Sequence, residues 1–112
     1  MTDKQLIFYS RTVPCPDCDR AKRFLDESGV PYTEIMIDVD PEATARVERW
    51  TGFRAVPTLV VAGPGELQPA VEPRPLEPGR SPRGLDRGPL ITEPDMVSLK
   101  RWLARHGFLS AQ

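Results

Sequence analysis

The chain has 112 residues, a formal net charge of -1 and 39% hydrophobic residues. This length suits one domain with one core, so we expect residues 1–112 to form a single domain. The near-zero charge gives no reason to expect a nucleic-acid partner. No apolar stretch approaches the roughly 18 residues of a membrane span, so we expect no membrane partner either.

The chain opens on a predicted strand. Leu6–Tyr9 is a short apolar run, which is typical of a buried strand. Met1–Gln5 leads directly into it and lacks the apolar core of a signal peptide, so we expect a cytoplasmic protein. In that compartment a Cys-x-x-Cys pair is usually catalytic or metal-binding rather than structural.

Cys15-Pro16-Asp17-Cys18 contains both cysteines of the chain and precedes a helical pattern. The apolar positions after it, Ala21, Phe24 and Leu25, have helical spacing, and Gly29 is placed to end the helix. The N–H groups and the dipole at a helix start favour a thiolate, which is the nucleophilic form of cysteine. A second thiol three residues on can close an internal disulfide. The motif therefore predicts a dithiol–disulfide exchange site.

Spacing alone leaves three other interpretations of the two cysteines open. A structural disulfide across so short a loop would constrain the unfolded chain very little. A zinc site needs about four ligands, and the chain has one His and no further Cys, so a partner chain would have to complete it. The third interpretation is a pair of inert buried thiols.

The next two segments predict a strand and a helix. Tyr32–Val39 alternates and is rich in Ile and Val, which favours a strand. Because a helix joins this strand to the first one, the two are expected to be parallel with a right-handed crossover. Asp40 as N-cap and Pro41 at the first helical position predict a second helix that ends at Gly52.

A third strand and a long loop come next. Val56 and Thr58–Ala62 predict a strand that Pro57 interrupts, and a proline there is typical of an edge or a special site. Residues 63–89 are rich in proline and glycine. This composition predicts an insertion with turns and extended segments but little helix.

The last predicted helix follows that insertion. Thr92-Glu93-Pro94-Asp95 resembles a capping box with its threonine as N-cap and Asp in place of the usual Glu. Met96, Leu99 and Leu103 then mark one helical face, which ends near Gly107. The predicted order is β-α-β-α-β-(β)-α, an α/β fold. A Cys-x-x-Cys motif near a βαβ unit is typical of a thioredoxin-like redox protein.

Four segments together resemble the glutaredoxin family of the thioredoxin superfamily. They are Tyr9 with Cys15–Leu25, Gly29–Ile35 with Asp38–Asp40, Thr51–Thr58, and Thr92–Leu103. The resemblance implies a thioredoxin-like fold and thiol–disulfide oxidoreductase activity, with Cys15 as the nucleophile and Cys18 as the resolving cysteine. Two kinds of relative that the chain resembles are mycoredoxins, which serve mycothiol, and the glutaredoxin-like electron donors of ribonucleotide reductase, which thioredoxin reductase recharges.

The resemblance also implies a substrate groove beside the cysteines. In this superfamily the proline after Val is cis and faces the cysteines, which assigns that role to Pro57. The backbone of Val56 can then pair with an extended substrate, and Arg54 is a candidate substrate contact.

Other residues near the cysteines are candidates for tuning or ligand contact. Pro16 pre-orders the loop at the helix start, and Arg11 is a candidate cation for the thiolate. Asp17 departs from the family, which often has an aromatic residue there; its carboxylate opposes thiolate formation, whereas the helix terminus favours it. Asp95 is a candidate ligand contact because related proteins have an Asp before the last helix.

A second departure concerns the source of electrons. Glutathione-binding glutaredoxins usually have a Gly-Gly pair before that Asp, whose N–H groups hold a ligand carboxylate. Here Pro94 has no N–H, and Glu93 adds negative charge. We expect disulfide-containing protein substrates, no tightly bound cofactor or metal, and glutathione, another low-molecular-weight thiol or thioredoxin reductase as the reductant. The alternative is a non-catalytic module of this fold that holds an iron–sulfur cluster or a metal.

Overall fold

Four strands and three helices form the part of the chain that the computed structural model describes, residues 4–109. In chain order they are β1 (Gln5–Ser10), α1 (Pro16–Glu27), β2 (Thr33–Met36), α2 (Pro41–Thr51), β3 (Thr58–Ala62), β4 (Leu90–Thr92) and α3 (Met96–Arg105). The predicted order of a thioredoxin-like fold is confirmed. None of the helices in these residues is long and apolar enough to cross a membrane.

The sheet has the strand order β2-β1-β3-β4. β1 and β2 are parallel, as the crossover through α1 requires, whereas β3 is antiparallel to both β1 and β4. The register places Tyr9 opposite Thr58 and Thr58 opposite Thr92. The loop after β1, the residues before β3 and the residues after β4 therefore meet at one end of the sheet. That loop leads into the Cys-x-x-Cys motif.

Local sequence explains where α1 and α2 begin. Cys15 is the N-cap of α1 in an extended conformation, and Pro16 takes the first helical position, where no N–H is needed. Asp40 caps α2 because its side chain accepts hydrogen bonds from two first-turn N–H groups. Gly52 then ends α2 at a φ of 82°, a left-handed conformation that favours glycine.

Two boundaries predicted from the sequence are each wrong by three residues. β2 ends at Met36 rather than Val39, because the Val39 N–H turns back to the Met36 carbonyl (3.3 Å). α3 is capped by Asp95 rather than Thr92, since Thr92 is the last residue of β4. Asp95 Oδ1 accepts a hydrogen bond from Ser98 N–H (2.7 Å) and so satisfies the helix start.

Residues 63–89 form no helix, but they are tied to the sheet at both ends. An isolated bridge joins the first part of this insertion to the end of β3. Near its other end Asp86 forms a bridge with Ile91 of β4, and Arg87 N–H donates to the Leu90 carbonyl (2.8 Å). The insertion therefore covers the outer edge of β4, which would otherwise be unpaired.

The core lies between the sheet and its helices. Tyr9 contacts Trp50 of α2, with ring centroids 5.6 Å apart, so α2 packs on the face of β1 to which Tyr9 points. Lys100 Nζ of α3 lies 5.3 Å from the ring centroid of Phe24 in α1, so those two helices are neighbours. Cys15 and Cys18 belong to the same buried cluster as the core residues. The Cys-x-x-Cys motif is therefore continuous with the core.

Candidate active site

Cys15 and Cys18 lie at the start of α1. Their Cα atoms are 5.2 Å apart, and their sulfur atoms lie at disulfide distance. Cys15 Sγ also accepts a hydrogen bond from Cys18 N–H (3.2 Å). The pair can therefore close a disulfide without backbone movement. In the reduced state the N–H groups and dipole of the helix start favour a thiolate at Cys15.

A carboxylate outside the motif fixes the loop that leads to Cys15. Asp38, just after β2, accepts hydrogen bonds from Thr12 N–H (3.0 Å to each oxygen), Thr12 Oγ1 (2.5 Å) and Val13 N–H (3.4 Å). These bonds, that of the Thr12 hydroxyl foremost, hold the pKa of Asp38 below its usual value. Sequence reasoning missed Asp38 as a site residue. The sequence signal that could have identified Asp38 is its position just after the strand that runs parallel to β1.

We expect Asp38→Ala to speed amide hydrogen exchange of Thr12 and Val13 at least about tenfold, because both N–H groups lose their acceptor. NMR exchange at neutral pH measures this. The pKa of Asp38 is lower in the folded protein than in the unfolded chain. The stabilisation from the ionised Asp38 carboxylate is therefore fully present above about pH 4 and is lost as the pH falls through its folded-state pKa. Glu27→Ala, at the exposed end of α1, is the control. Unchanged exchange in Asp38→Ala would contradict the assignment.

The residues before β3 provide the opposite side of the site. The Val56–Pro57 peptide bond is cis, as the resemblance predicted. Pro57 is buried, and its carbonyl accepts a hydrogen bond from Glu93 N–H (2.7 Å). The Val56 backbone forms no hydrogen bond with any residue from 4 to 109. Its N–H and C=O therefore have no partner within these residues.

Arg83, in the insertion, bridges two carboxylates at this end of the sheet. Its Nη1 lies 3.4 Å from Asp17 Oδ2 and also pairs with Glu93 Oε2. Arg20 Nη1 binds the other Asp17 oxygen at 2.8 Å. The hydrogen bond from Arg20 foremost, and the charge of Arg83 after it, keep the pKa of Asp17 below its usual value. Sequence reasoning singled out Asp17 but missed Arg83, and no local signal marks that residue.

Glu93 has a left-handed backbone conformation, which glycine adopts more readily than other residues. Its φ is 45°, and it is the one non-glycine residue with positive φ in the described range. This left-handed conformation costs a residue with a Cβ roughly 1–2 kcal/mol. The Glu93 N–H is bound to Pro57 and its carboxylate to Arg83, so contacts at both ends hold it there. A glutamate thus occupies the bend between β4 and α3.

Three other predicted site residues are bound within the chain. Arg54 Nε pairs with Glu48 Oε2 at 3.0 Å, and the Arg54 side chain is 73% exposed. Arg11 Nη2 donates to the Pro14 carbonyl (2.8 Å), just before the motif. Asp95 caps α3. An exposed ion pair such as that of Arg54 contributes about 0–1 kcal/mol, so it can be exchanged for another partner. Substrate or ligand contact by these residues stays a prediction.

The two cysteines are the only thiolate ligands that the sequence offers a metal. Across residues 4–109, no group of three or more His, Cys, Asp or Glu side chains is arranged to hold a metal ion. A tetrahedral zinc site needs about four ligands. A metal bound at Cys15 and Cys18 would therefore need further ligands from outside residues 4–109.

The glutaredoxin family model matches residues 6–64, just over half of the chain. The chain belongs to the glutaredoxin family. The matched segment contains Cys15, Cys18, Val56 and Pro57 and ends where the insertion begins. In this glutaredoxin, Arg83, Glu93 and Asp95 all lie beyond that segment, so their arrangement is known from the structure alone.

The curated relatives that match are also glutaredoxins. One from Neisseria meningitidis serogroup A is 42% identical over 48 residues, which cover 42% of this chain and 56% of the relative. One from Ricinus communis is 27% identical over 66 residues, which cover 56% of this chain and 64% of the relative. A solved buckwheat glutaredoxin–glutathione complex aligns at a TM-score of 0.43 and 32% identity, covering 50% of this chain and 53% of that chain. The chain thus spans about half to two thirds of the length of the curated glutaredoxins it matches.

Proposed function

We propose that this glutaredoxin is a thiol–disulfide oxidoreductase that reduces protein disulfides or mixed disulfides in the cytoplasm. The observation that supports this most strongly is the Cys15–Cys18 pair at the N-terminus of α1, with sulfur atoms at disulfide distance. The match of residues 6–64 to the glutaredoxin family supports the same class of chemistry.

The reaction begins when the Cys15 thiolate attacks one sulfur of a substrate disulfide. The substrate S–S bond breaks, a Cys15–substrate mixed disulfide forms, and the leaving thiolate takes a proton from water. Cys18 then loses its proton and attacks Cys15 Sγ, which releases the second substrate thiolate. Two electrons pass to the substrate, and the protein is left with a Cys15–Cys18 disulfide. In a monothiol route a small thiol attacks the mixed disulfide instead, and Cys18 is spared.

The substrate chain is expected to lie along Val56. The unpaired N–H and C=O of Val56 support the binding of an extended segment by strand addition, because a β-strand is recognised through such groups. Arg54 is the proposed contact for a substrate carboxylate. Its exposed ion pair with Glu48 can open for that purpose at little cost.

The oxidised pair needs two electrons from an external reductant. The candidates are glutathione, another low-molecular-weight thiol and thioredoxin reductase. The segment before α3 argues against glutathione in the usual pose, because Pro94 has no N–H and the Glu93 carboxylate is already bound to Arg83. We propose thioredoxin reductase rather than another small thiol, because Gly52–Arg54 and Pro94–Val97 resemble the electron donors of ribonucleotide reductase more than the mycoredoxins.

A panel of reductants tests this proposal. Oxidised protein is incubated with NADPH and thioredoxin reductase, with glutathione, or with mycothiol, and the free thiols of Cys15 and Cys18 are counted over time. We expect thioredoxin reductase to reduce the pair at least about tenfold faster than millimolar glutathione. Cys18→Ser, which cannot form the internal disulfide, is the control.

The outcomes separate the parts of the proposal. Faster reduction by glutathione would overturn the choice of reductant while leaving the oxidoreductase assignment intact. Failure of the reduced protein to reduce any disulfide substrate would overturn the oxidoreductase assignment itself. A coloured protein after anaerobic iron–sulfur reconstitution would favour the cluster-binding alternative.

A further inference from the structure

Arg83 reaches the redox site from the proline-rich insertion. Its guanidinium binds the carboxylate of Asp17 in α1 and that of Glu93 before α3. The backbone beside it is fixed, because Gly84 N–H donates to the Thr92 carbonyl at the end of β4 (2.7 Å). Arg83 therefore joins the first turn of the cysteine helix to the bend between β4 and α3.

The charged groups around Cys15 come from four segments of the chain. They are Arg11 in the preceding loop, Asp38 after β2, Asp17, Asp19 and Arg20 in α1, and Arg83 with Glu93 at the edge of β4. Asp38 is bound to loop amides, and Arg20 pairs with the Oδ1 atom of Asp17. Arg83 is the one cation paired with Glu93 among residues 4–109. Its removal would leave that carboxylate uncompensated.

We propose that Arg83 is a positioning residue of this redox site: it neutralises Asp17 and Glu93 and thereby favours the thiolate form of Cys15. The inference rests on the proposed thiol–disulfide exchange, in which the thiolate is the nucleophile. A free carboxylate near a thiol opposes loss of the thiol proton, and a guanidinium held between two carboxylates offsets that effect. The insertion is then part of the site rather than a passive spacer.

The burial of these groups fits an electrostatic role. The side chains of Asp17 and Glu93 are 31% and 21% exposed, so solvent screens their charges only in part. The Arg83 side chain is 60% exposed and contributes nothing to the core. Its substitution therefore changes the charge at the site without leaving a cavity.

The test is the pH dependence of alkylation by iodoacetamide, measured on reduced protein in a Cys18→Ser background so that Cys15 is the only thiol. We expect R83Q to move the midpoint of the profile to higher pH and to slow alkylation at pH 6 about threefold. R83K should recover most of the rate because it restores the positive charge. R80Q is the matched control, an exposed arginine of the same insertion with no ion pair in the described part of the chain.

A second variant background distinguishes the effect of the Arg83 charge from the effect of its side-chain shape. In D17N/E93Q the Arg83 guanidinium has no carboxylate charge left to offset at either position, so adding R83Q should change the profile by less than about half as much. An R83Q profile equal to that of R80Q would overturn the proposal, and so would an undiminished shift in the D17N/E93Q background. Alkylation needs no substrate or reductase. A shift in R83Q with no disulfide reduction would thus uphold the role of Arg83 and defeat the oxidoreductase proposal.

Discussion

Replacing Cys15 by serine will abolish the reduction of a model disulfide, whereas replacing Cys18 will not. We expect Cys15→Ser to lose at least about a thousandfold in rate, because a serine hydroxyl cannot form the mixed disulfide. Cys18→Ser keeps the first attack, and a small thiol can then resolve the intermediate. Its rate on the mixed disulfide of a small thiol, assayed with that thiol in excess, should stay within about tenfold of the unmodified protein.

Mass spectrometry without a small thiol distinguishes the roles of the two cysteines. Cys18→Ser should accumulate as a mixed disulfide with the substrate, because nothing is left to attack Cys15 Sγ. Cys15→Ser should carry no adduct. Similar melting temperatures for both variants would exclude misfolding as the cause. Full activity of Cys15→Ser, or a substrate adduct on Cys18, would contradict the assignment of nucleophile and resolving cysteine.

The parts of the site that depend on a few adjacent residues were predictable. Asp40-Pro41 signals a helix start through N-capping and a proline at the first helical position, and α2 begins there. Pro16 was placed at the start of the helix that follows the cysteines, and α1 begins at that residue. The cis bond at Pro57 was predicted from the family resemblance. The local pattern by itself pointed only to an edge or a special site.

Contacts between distant segments were not predictable. Arg83 contacts Asp17 because the insertion pairs with the outer edge of β4. A proline-rich composition predicts that a segment forms little helix, but it does not predict which part of the fold the segment packs against. Thr92 shows the same limit. Its tetrapeptide fits a capping box, but pairing in the sheet with Thr58 takes precedence over the local pattern. Asp38 reaches the loop before Cys15 only because β2 runs parallel to β1.

These contacts make the insertion a structural neighbour of the redox site. Tyr9 Oη, in the strand that leads to Cys15, donates to the Leu67 carbonyl at the start of the insertion (2.6 Å). Near the other end Arg105 pairs with Asp86 (2.8 Å). The insertion is thus anchored to β1 and α3 as well as to β4.

Trp102→Ala will destabilise the protein by about 3–5 kcal/mol, because it empties the space of the largest fully buried side chain. Trp102 is 0% exposed, and its Nε1 donates to the Gly88 carbonyl (2.8 Å), where the insertion returns to β4. The variant therefore loses both core packing and an anchor of the insertion. Since a domain of this size has about 5–15 kcal/mol of stability in total, urea unfolding will show the loss clearly.

Trp102→Phe separates the two contributions. It keeps most of the ring volume but removes the N–H, so we expect a cost of about 1–2 kcal/mol. His106 Nε2 lies 2.9 Å from the same Gly88 carbonyl and limits that cost by remaining as a partner. Val97→Ala, at a 65% exposed position of α3, is the matched control and should stay within about 0.5 kcal/mol of the unmodified protein. A loss below about 1 kcal/mol in Trp102→Ala would show that neither the packing of Trp102 nor its bond to Gly88 stabilises the fold.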